Sequence, residues 1–164
     1  MSPTKGFSAK INAMWNDEAI GSDFDYKELK WELRQYFTFA DKYSLAWRFD
    51  GATTDGDVPF FLEPFIQIEG IPTLRYQGPT AATAEIRGGW EFIPRWSAIA
   101  FAGGGRTAEN AGDLFSASTR TSVGAGFRYM LARVLGLRVG LDVARGPEDT
   151  YVYLVMGSAW SRGL

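Results

Sequence analysis

The stretch YKELKWELRQYFTF, residues 26–39, decides whether this chain is helical or built from strands. Lys, Glu and Leu are good helix formers, so composition alone permits a helix. The spacing argues against one, because Leu29, Trp31 and Leu33 recur at every second position and would be scattered around a helix axis. In a strand these three residues share one face, and the charged residues between them share the other. The stretch is therefore predicted to be a strand.

The same two-residue period continues through most of the chain. Seven further segments have strand-like composition, and in all but RWSAIAFAGGGRT the two faces are easily told apart. Together with the first stretch they predict an all-β protein of eight strands. The seven segments are FSAKINAMW (7–15), YSLAWRFD (43–50), AATAEIRGGWEF (81–92), RWSAIAFAGGGRT (95–107), SVGAGFRYML (122–131), LRVGLDVA (137–144) and TYVYLVMGSAW (150–160).

Short and longer connections alternate between these strands. Three are short, at 40–42, 93–95 and 132–136, and the other four are longer or more polar, including a loop at about 51–80. Transmembrane β-barrels have short turns on one side of the membrane and longer loops on the other. The alternation indicates this arrangement, with both termini on the short-turn side and the long loop outside the cell.

The polar faces distinguish two barrels that share this strand pattern. A soluble lipocalin-type barrel puts apolar residues inside, whereas a membrane barrel puts polar residues inside and apolar residues toward lipid. Basic and acidic residues nearly balance on the polar faces, as a desolvated lumen requires. Gly124, Gly126 and Gly140 lie on the same faces, where they would leave room for long side chains.

These features predict that residues 1–164 form a single domain, an eight-stranded antiparallel up-and-down transmembrane β-barrel. Its lumen is expected to be plugged by a network of charged side chains, which leaves no solute channel. The predicted network consists of Lys30, Glu32, Arg34, Arg48, Glu85, Arg87, Arg128, Arg138 and Asp142.

Composition excludes several classes of function. The 164 residues carry 17 basic and 19 acidic side chains, so there is no basic footprint for nucleic acid. There is no cysteine and no histidine, which removes thiol chemistry, the commonest general base and the commonest metal ligand. We therefore expect neither an enzyme nor a cofactor or metal site. The sequence has no run of about 18 apolar residues, so no membrane-spanning helix is predicted.

The second half resembles a known family. The segments GIPTLRYQG (70–78), AEIRGGWEFIPRWSAIAFAGGGR (84–106), SVGAGFRYML and YVYLVMGSAW follow the order seen in the C-terminal half of the barrel of the BamA/TamA-like outer-membrane surface-antigen family. The resemblance implies a bacterial outer-membrane location, in contact with the lipid bilayer and lipopolysaccharide. It also implies a loop motif at Arg75, Tyr76 and Gln77. The last strand would be an assembly signal, Met156, Gly157 and Trp160, read by the outer-membrane barrel-assembly machinery.

The chain also departs from that family. Family barrels have sixteen strands, and Gly103 stands where the family has an acidic partner for the loop arginine. The departures favour a membrane-embedded structural domain over the family role in protein insertion or translocation. They also require Arg75 to find another acid, such as Glu85 or Glu91. In an eight-stranded lumen already filled with side chains, the loop is expected to fold over the barrel mouth rather than enter it.

Two other functions are compatible with the same strands. One is a small pore, formed by one chain or by an oligomer of unknown size. The other is a soluble lipocalin-like ligand binder, which would use the apolar faces as its interior. Conductance in bilayers and behaviour without detergent separate these alternatives from the plugged membrane barrel.

Overall fold

The computed structural model describes residues 6–17, 19, 21–40, 42–132 and 137–157. Within them the chain forms one eight-stranded sheet in the order β1-β2-β3-β4-β5-β6-β7-β8, with every neighbouring pair antiparallel. The all-β, up-and-down prediction is therefore confirmed, including the strand at 26–39. The strands are β1 Gly6–Asn16, β2 Tyr26–Phe39, β3 Tyr43–Gly56, β4 Thr80–Ile93, β5 Trp96–Ala108, β6 Arg120–Ala132, β7 Leu137–Arg145 and β8 Thr150–Met156.

The connections alternate as expected, with small shifts of boundary, the largest of them at the long loop. The strand β3 continues to Gly56, so the long connection covers residues 57–79 rather than 51–80. A short 3-10 turn, Ala111–Asp113, lies in the connection between β5 and β6. Among the described residues no helix is long and apolar enough to cross a membrane.

The two faces of the sheet have opposite chemistry. Directly paired residues lie on the same face, so the register defines each face across all eight strands. One face, here called the outer face, carries apolar side chains that are exposed, including Ile11 at 76%, Ile86 at 49% and Leu154 at 70%. The other, here called the inner face, carries buried polar side chains, including Glu85 and Asp142. Apolar residues outside and charges inside are the reverse of a soluble β-protein.

Glycines make room for large side chains on the inner face. A Cβ at Gly126 would collide with the carboxylate of Asp142, and one at Gly140 would meet the side chain of Arg128. A Cβ at Gly124 would collide with the ring of Phe101. Glycine at these three positions is thus explained by packing, as the sequence pattern indicated.

The sheet curls toward the inner face. Arg87 of β4 lies 3.8 Å from Asp142 of β7 (Nη1 to Oδ2). In a flat sheet those strands would be three spacings apart, roughly 14 Å. The sheet does not close, because no strand pairing joins β1 to β8 within the described residues.

Candidate functional site

The centre of the inner face is a continuous chain of ion pairs that runs from β3 to β7. Arg48 lies 3.5 Å from Glu85, and Glu85 lies 3.2 Å from Arg87. Arg87 also reaches Asp142, which Arg128 holds from the neighbouring strand. Each cation in this chain has an anion beside it, so the charges are compensated although they are removed from water.

Arg128 and Asp142 form the most buried of these linked ion pairs. Their side chains are 3% and 0% exposed, and two guanidinium nitrogens donate to the two carboxylate oxygens at 2.5 Å each. A bidentate pair of this kind adds geometric specificity to its charge interaction. The pair of Arg128 and Asp142 therefore fixes how β6 and β7 face the interior.

The guanidinium of Arg87 also stacks on the ring of Phe101, 4.6 Å from its centre.

The remaining predicted network residues lie in further ion pairs, most of them on β2. Lys30 contacts Glu28 at 2.7 Å, and Arg34 contacts its neighbour Glu32 on the same strand. Arg138 lies 3.9 Å from a further acid on β4. All nine predicted residues are on the inner face.

Four acids outside the predicted set complete these pairs. The predicted network held six basic residues and three acidic ones, and this imbalance was the signal that further carboxylates were required. The two-residue period of the strands places Glu28, Asp50 and Glu91 on the polar faces, so these three acids could be predicted from the sequence. The fourth, Glu69, lies in the long loop and has no strand pattern to reveal it. The contacts are Glu28 to Lys30, Asp50 to Arg48 at 2.9 Å, Glu91 to Arg138, and Glu69 to Arg87 at 3.1 Å.

Residues 66–71 of the long loop are seated on the inner face, so this part of the loop does not fold over the mouth as expected, whereas the Arg75 side chain stays exposed. Ile66, Ile68 and Ile71 are buried there and form an apolar cluster with the partly buried Tyr76. Ile66 lies against Gly105 of β5, at a position where a side chain would leave no space. The loop thus supplies to the interior the apolar volume that the glycine-rich β5 lacks.

Polar contacts fix the seated segment to four strands. The backbone oxygen of Gln67 accepts a hydrogen bond from Arg48 at 2.5 Å, and that of Glu69 accepts one from Ser122. The backbone N–H of Gly70 donates to the Tyr153 hydroxyl at 3.0 Å. Together with the ion pair from Glu69 to Arg87, these contacts bridge β3, β4, β6 and β8.

Backbone geometry explains why glycine occupies position 70. Its φ of +90° lies in the left-handed region, which disfavours other residues. A Cβ there would also collide with Ser122 and crowd Ala144, while the Gly70 carbonyl packs against Gly146. Close approach of loop and sheet therefore depends on small residues on both sides.

The base of the seated segment is closed by backbone hydrogen bonds. Ile66 N–H donates to the Tyr76 carbonyl at 3.0 Å, and Gly78 N–H donates to the Pro64 carbonyl at 3.1 Å. An isolated antiparallel bridge pairs Phe65 with Gln77. These contacts make residues 64–78 a compact closed loop rather than an extended connection.

Arg75 forms an ion pair with a carboxylate in the turn between β7 and β8. Its Nε donates to Glu148 Oε1 at 2.9 Å, and the Tyr76 hydroxyl donates to the same oxygen at 2.7 Å. The hydrogen bond from Arg75, and then that from Tyr76, lowers the pKa of Glu148 below its ordinary value. The expectation that Glu85 or Glu91 would be the partner is wrong, because those acids pair within the inner face.

Two further positions belong with the loop motif, Gln77 in the loop and Gly103 on β5. The side-chain amide of Gln77 donates to the Phe60 carbonyl at 2.7 Å, so it holds the loop to itself rather than to the sheet. Gly103, where the resembling family has an acid, faces Ile68 and the side chain of Glu85. The seated loop and Glu85 therefore occupy the space that a carboxylate at 103 would need.

The predicted assembly signal is described only in part. Met156 is an exposed residue of the outer face, and Gly157 donates its N–H to the Arg138 carbonyl at 2.7 Å. Trp160 lies outside the described residues. In the described parts of the chain, no three acidic side chains are grouped in a way that could hold a metal ion.

Comparison with known proteins does not assign the chain to a family. No protein-family model matches the sequence. No curated protein matches it either.

Proposed function

We propose that the chain is a membrane-embedded structural domain, the wall of an outer-membrane β-barrel with a plugged lumen. The observation that carries this proposal is the inverted polarity of the sheet. Exposed apolar side chains cover the outer face, whereas charges such as Asp142 are removed from water on the inner face. Water penalises the first arrangement and lipid favours it.

Strand length supports the same proposal. The strands β2, β3 and β4 have 14 residues each. Crossing the hydrocarbon core takes about 9–11 residues of tilted strand. These strands are therefore long enough to span a membrane and to continue into both interfaces.

An aromatic belt on the outer face supports it further. At the short-turn ends Tyr43 stacks with Trp90 at 6.4 Å between ring centres, and Trp90 contacts Phe92 at 5.8 Å. Farther along the sheet, Trp96 packs on Tyr129 at 4.9 Å. Amphipathic rings in a row at strand ends are typical of the membrane interface.

The interior favours a plug over a pore. The ion pairs and the seated loop occupy the inner face between β3 and β8, and they fill that part of the interior. A structural role without catalysis fits this filled interior. The family resemblance supports a bacterial outer membrane, with lipopolysaccharide as neighbour and the barrel-assembly machinery as the partner of the last strand.

The proposal is tested by refolding the protein from urea into phosphatidylcholine vesicles. We expect the folded protein to float with the vesicles in a density gradient and to give no stable conductance steps in a planar bilayer. Stable conductance steps would favour the small pore instead. A monodisperse folded monomer in buffer without detergent would contradict the membrane proposal and favour the soluble binder.

A further inference from the structure

We propose that a row of cations on the outer face binds the phosphate groups of anionic lipids, in the leaflet at the long-loop ends of the strands. The inference rests on the proposed membrane location. Within the described strands the outer face carries charge at four positions, all of them near long-loop ends. These are Lys27 of β2, Asp55 of β3, Arg106 of β5 and Arg145 of β7.

The register places the two arginines among lipid-facing side chains. Arg106 lies on the same line of paired residues as Ile11, which is 76% exposed. Arg145 lies directly opposite Val123, which is 56% exposed. Both cations therefore border the apolar surface on which the acyl chains of a lipid would lie.

The three cations of this row, Lys27, Arg106 and Arg145, lie at one depth. Counted along the paired residues toward the short-turn ends, Arg106 is four residues below Lys27, and Arg145 is four below Arg106. From β2 to β7 the row crosses roughly 24 Å of sheet and descends roughly 27 Å along the strands. That slope, about 45°, is the tilt of strands in a membrane barrel, so the row runs parallel to the membrane surface.

The distance from the row to the aromatic belt matches a membrane. On β5 ten residues separate Arg106 from Trp96, and on β2 twelve separate Lys27 from Phe39. A tilted strand crosses the hydrocarbon core in about 9–11 residues. The aromatic belt and the basic row therefore mark opposite surfaces of the membrane, and only the surface at the long-loop ends has cations on the outer face of the described strands.

The charges of the row are available to a ligand. Inner-face cations are paired with acids, but among the described residues no carboxylate lies within ion-pair distance of the row. Arg106 instead donates to the Thr119 hydroxyl at 2.7 Å, and Arg145 to that of Thr150 at 3.1 Å. A guanidinium has five N–H donors in a planar fork that suits phosphate oxygens.

The two arginines are the stronger part of the row. Lys27 lies over the ring of Trp15, 4.6 Å from its centre, and Asp55 is opposite Lys27 in the register. That acid weakens the attraction of an anion to Lys27. Arg106 and Arg145 stand two strands apart, so each would serve a separate headgroup.

The experiment measures lipid binding by native mass spectrometry of the protein refolded in detergent micelles. Phosphatidylglycerol and phosphatidylcholine with the same acyl chains are titrated separately. We expect phosphatidylglycerol to remain bound at lower lipid concentration than phosphatidylcholine, and inorganic phosphate not to displace it. Displacement would assign the site to free phosphate and overturn the lipid proposal. Equal binding of both lipids by a protein that floats with phosphatidylcholine vesicles would overturn this inference alone. Failure to float would overturn the membrane proposal as well.

Matched variants assign the preference to the row. Arg106→Gln/Arg145→Gln should lower the affinity for phosphatidylglycerol about fivefold for each cation removed, and leave that for phosphatidylcholine unchanged. Lys10→Gln/Arg120→Gln removes the same charge from exposed inner-face positions and should bind like the wild type. An equal loss in both double variants would overturn the inference.

A charge-conserving variant separates phosphate binding from an effect on loop structure. Arg106 also donates to the Phe115 carbonyl at 2.5 Å, so its loss could loosen the loop after β5. Arg106→Lys/Arg145→Lys keeps both charges and should retain most of the phosphatidylglycerol affinity. A loss as large as in the glutamine variant would assign the effect to the loop and overturn the inference.

Discussion

Arg128 and Asp142 face each other across β6 and β7 through two contacts of 2.5 Å, with both side chains removed from solvent. Replacing one residue of such a buried ion pair is costly, because the other residue is left as a buried charge without a partner. Arg87 reaches the same carboxylate from β4, so three strands depend on one acid.

Replacing that acid is expected to destabilise the protein strongly. Asp142→Ala should lower the free energy of unfolding by about 3–5 kcal/mol, since Arg128 is left buried without a counter-charge. The measurement is the urea midpoint of the protein refolded in micelles. The control is Glu109→Gln in the exposed loop after β5, which should unfold like the wild type. Equal midpoints for Asp142→Ala and the control would count against a buried pair.

The glycines of the inner face give a second test of packing. Gly126→Ala places a methyl group against the Asp142 carboxylate and should cost about 1–3 kcal/mol of stability through overpacking. Gly88→Ala is the matched control, because a Cβ at Gly88 meets nothing within 4 Å. If both alanine variants unfold at the same urea concentration, the inner face is not packed as described.

Seating of the loop is expected to depend on Gly70. Gly70→Ala strains a backbone with φ of +90° and collides with Ser122, so residues 66–71 should leave the inner face. Limited trypsin digestion should then cut after Arg75 faster than in the wild type. Gly112→Ala, in open space, should leave the cleavage rate unchanged. A wild-type rate in Gly70→Ala would show that the loop is not held there.

The contact between Arg75 and Glu148 is expected to weaken in acid. The folded pKa of Glu148 is lowered from 4.5, so the contact stabilises the loop at pH above that value. It is lost as pH falls through the lower folded pKa, when the carboxylate is protonated. The protection factor of residues 72–78 against hydrogen exchange, taken relative to the intrinsic rate at each pH, should fall below pH 4.5 in the wild type. In Glu148→Gln the protection factor should already be low at neutral pH and should lack that acid step, and a retained step would assign it to another group.

Local pattern was enough to predict the sheet and its polarity. The two-residue period identified β2 despite its helix-forming residues, and the glycines on the polar faces indicated where large side chains would pack. The strand β5 was ambiguous because alanine and glycine fill both faces. Its inner face is defined by what packs there, Ile66 and Ile68 from the loop.

Long-range contacts were beyond the reach of local pattern. Arg75 and Glu148 are 73 residues apart, and no spacing rule connects a loop arginine to a distant turn. Glu69 was missed for the same reason. The loop was expected to stay outside because eight closed strands leave little interior volume, but residues 66–71 are seated on a sheet that does not close within the described residues.

Lipid contact of the outer face can be measured at two adjacent residues of β1. Ile11 lies on the outer face and Asn12 on the inner face, and both are exposed in the sheet. In a chain without native cysteine, Ile11→Cys and Asn12→Cys are labelled separately with an environment-sensitive NBD dye and refolded into vesicles containing doxyl-labelled lipid. We expect blue-shifted, strongly quenched emission at position 11 and water-like, weakly quenched emission at position 12. Water-like, unquenched emission at both positions would contradict lipid contact.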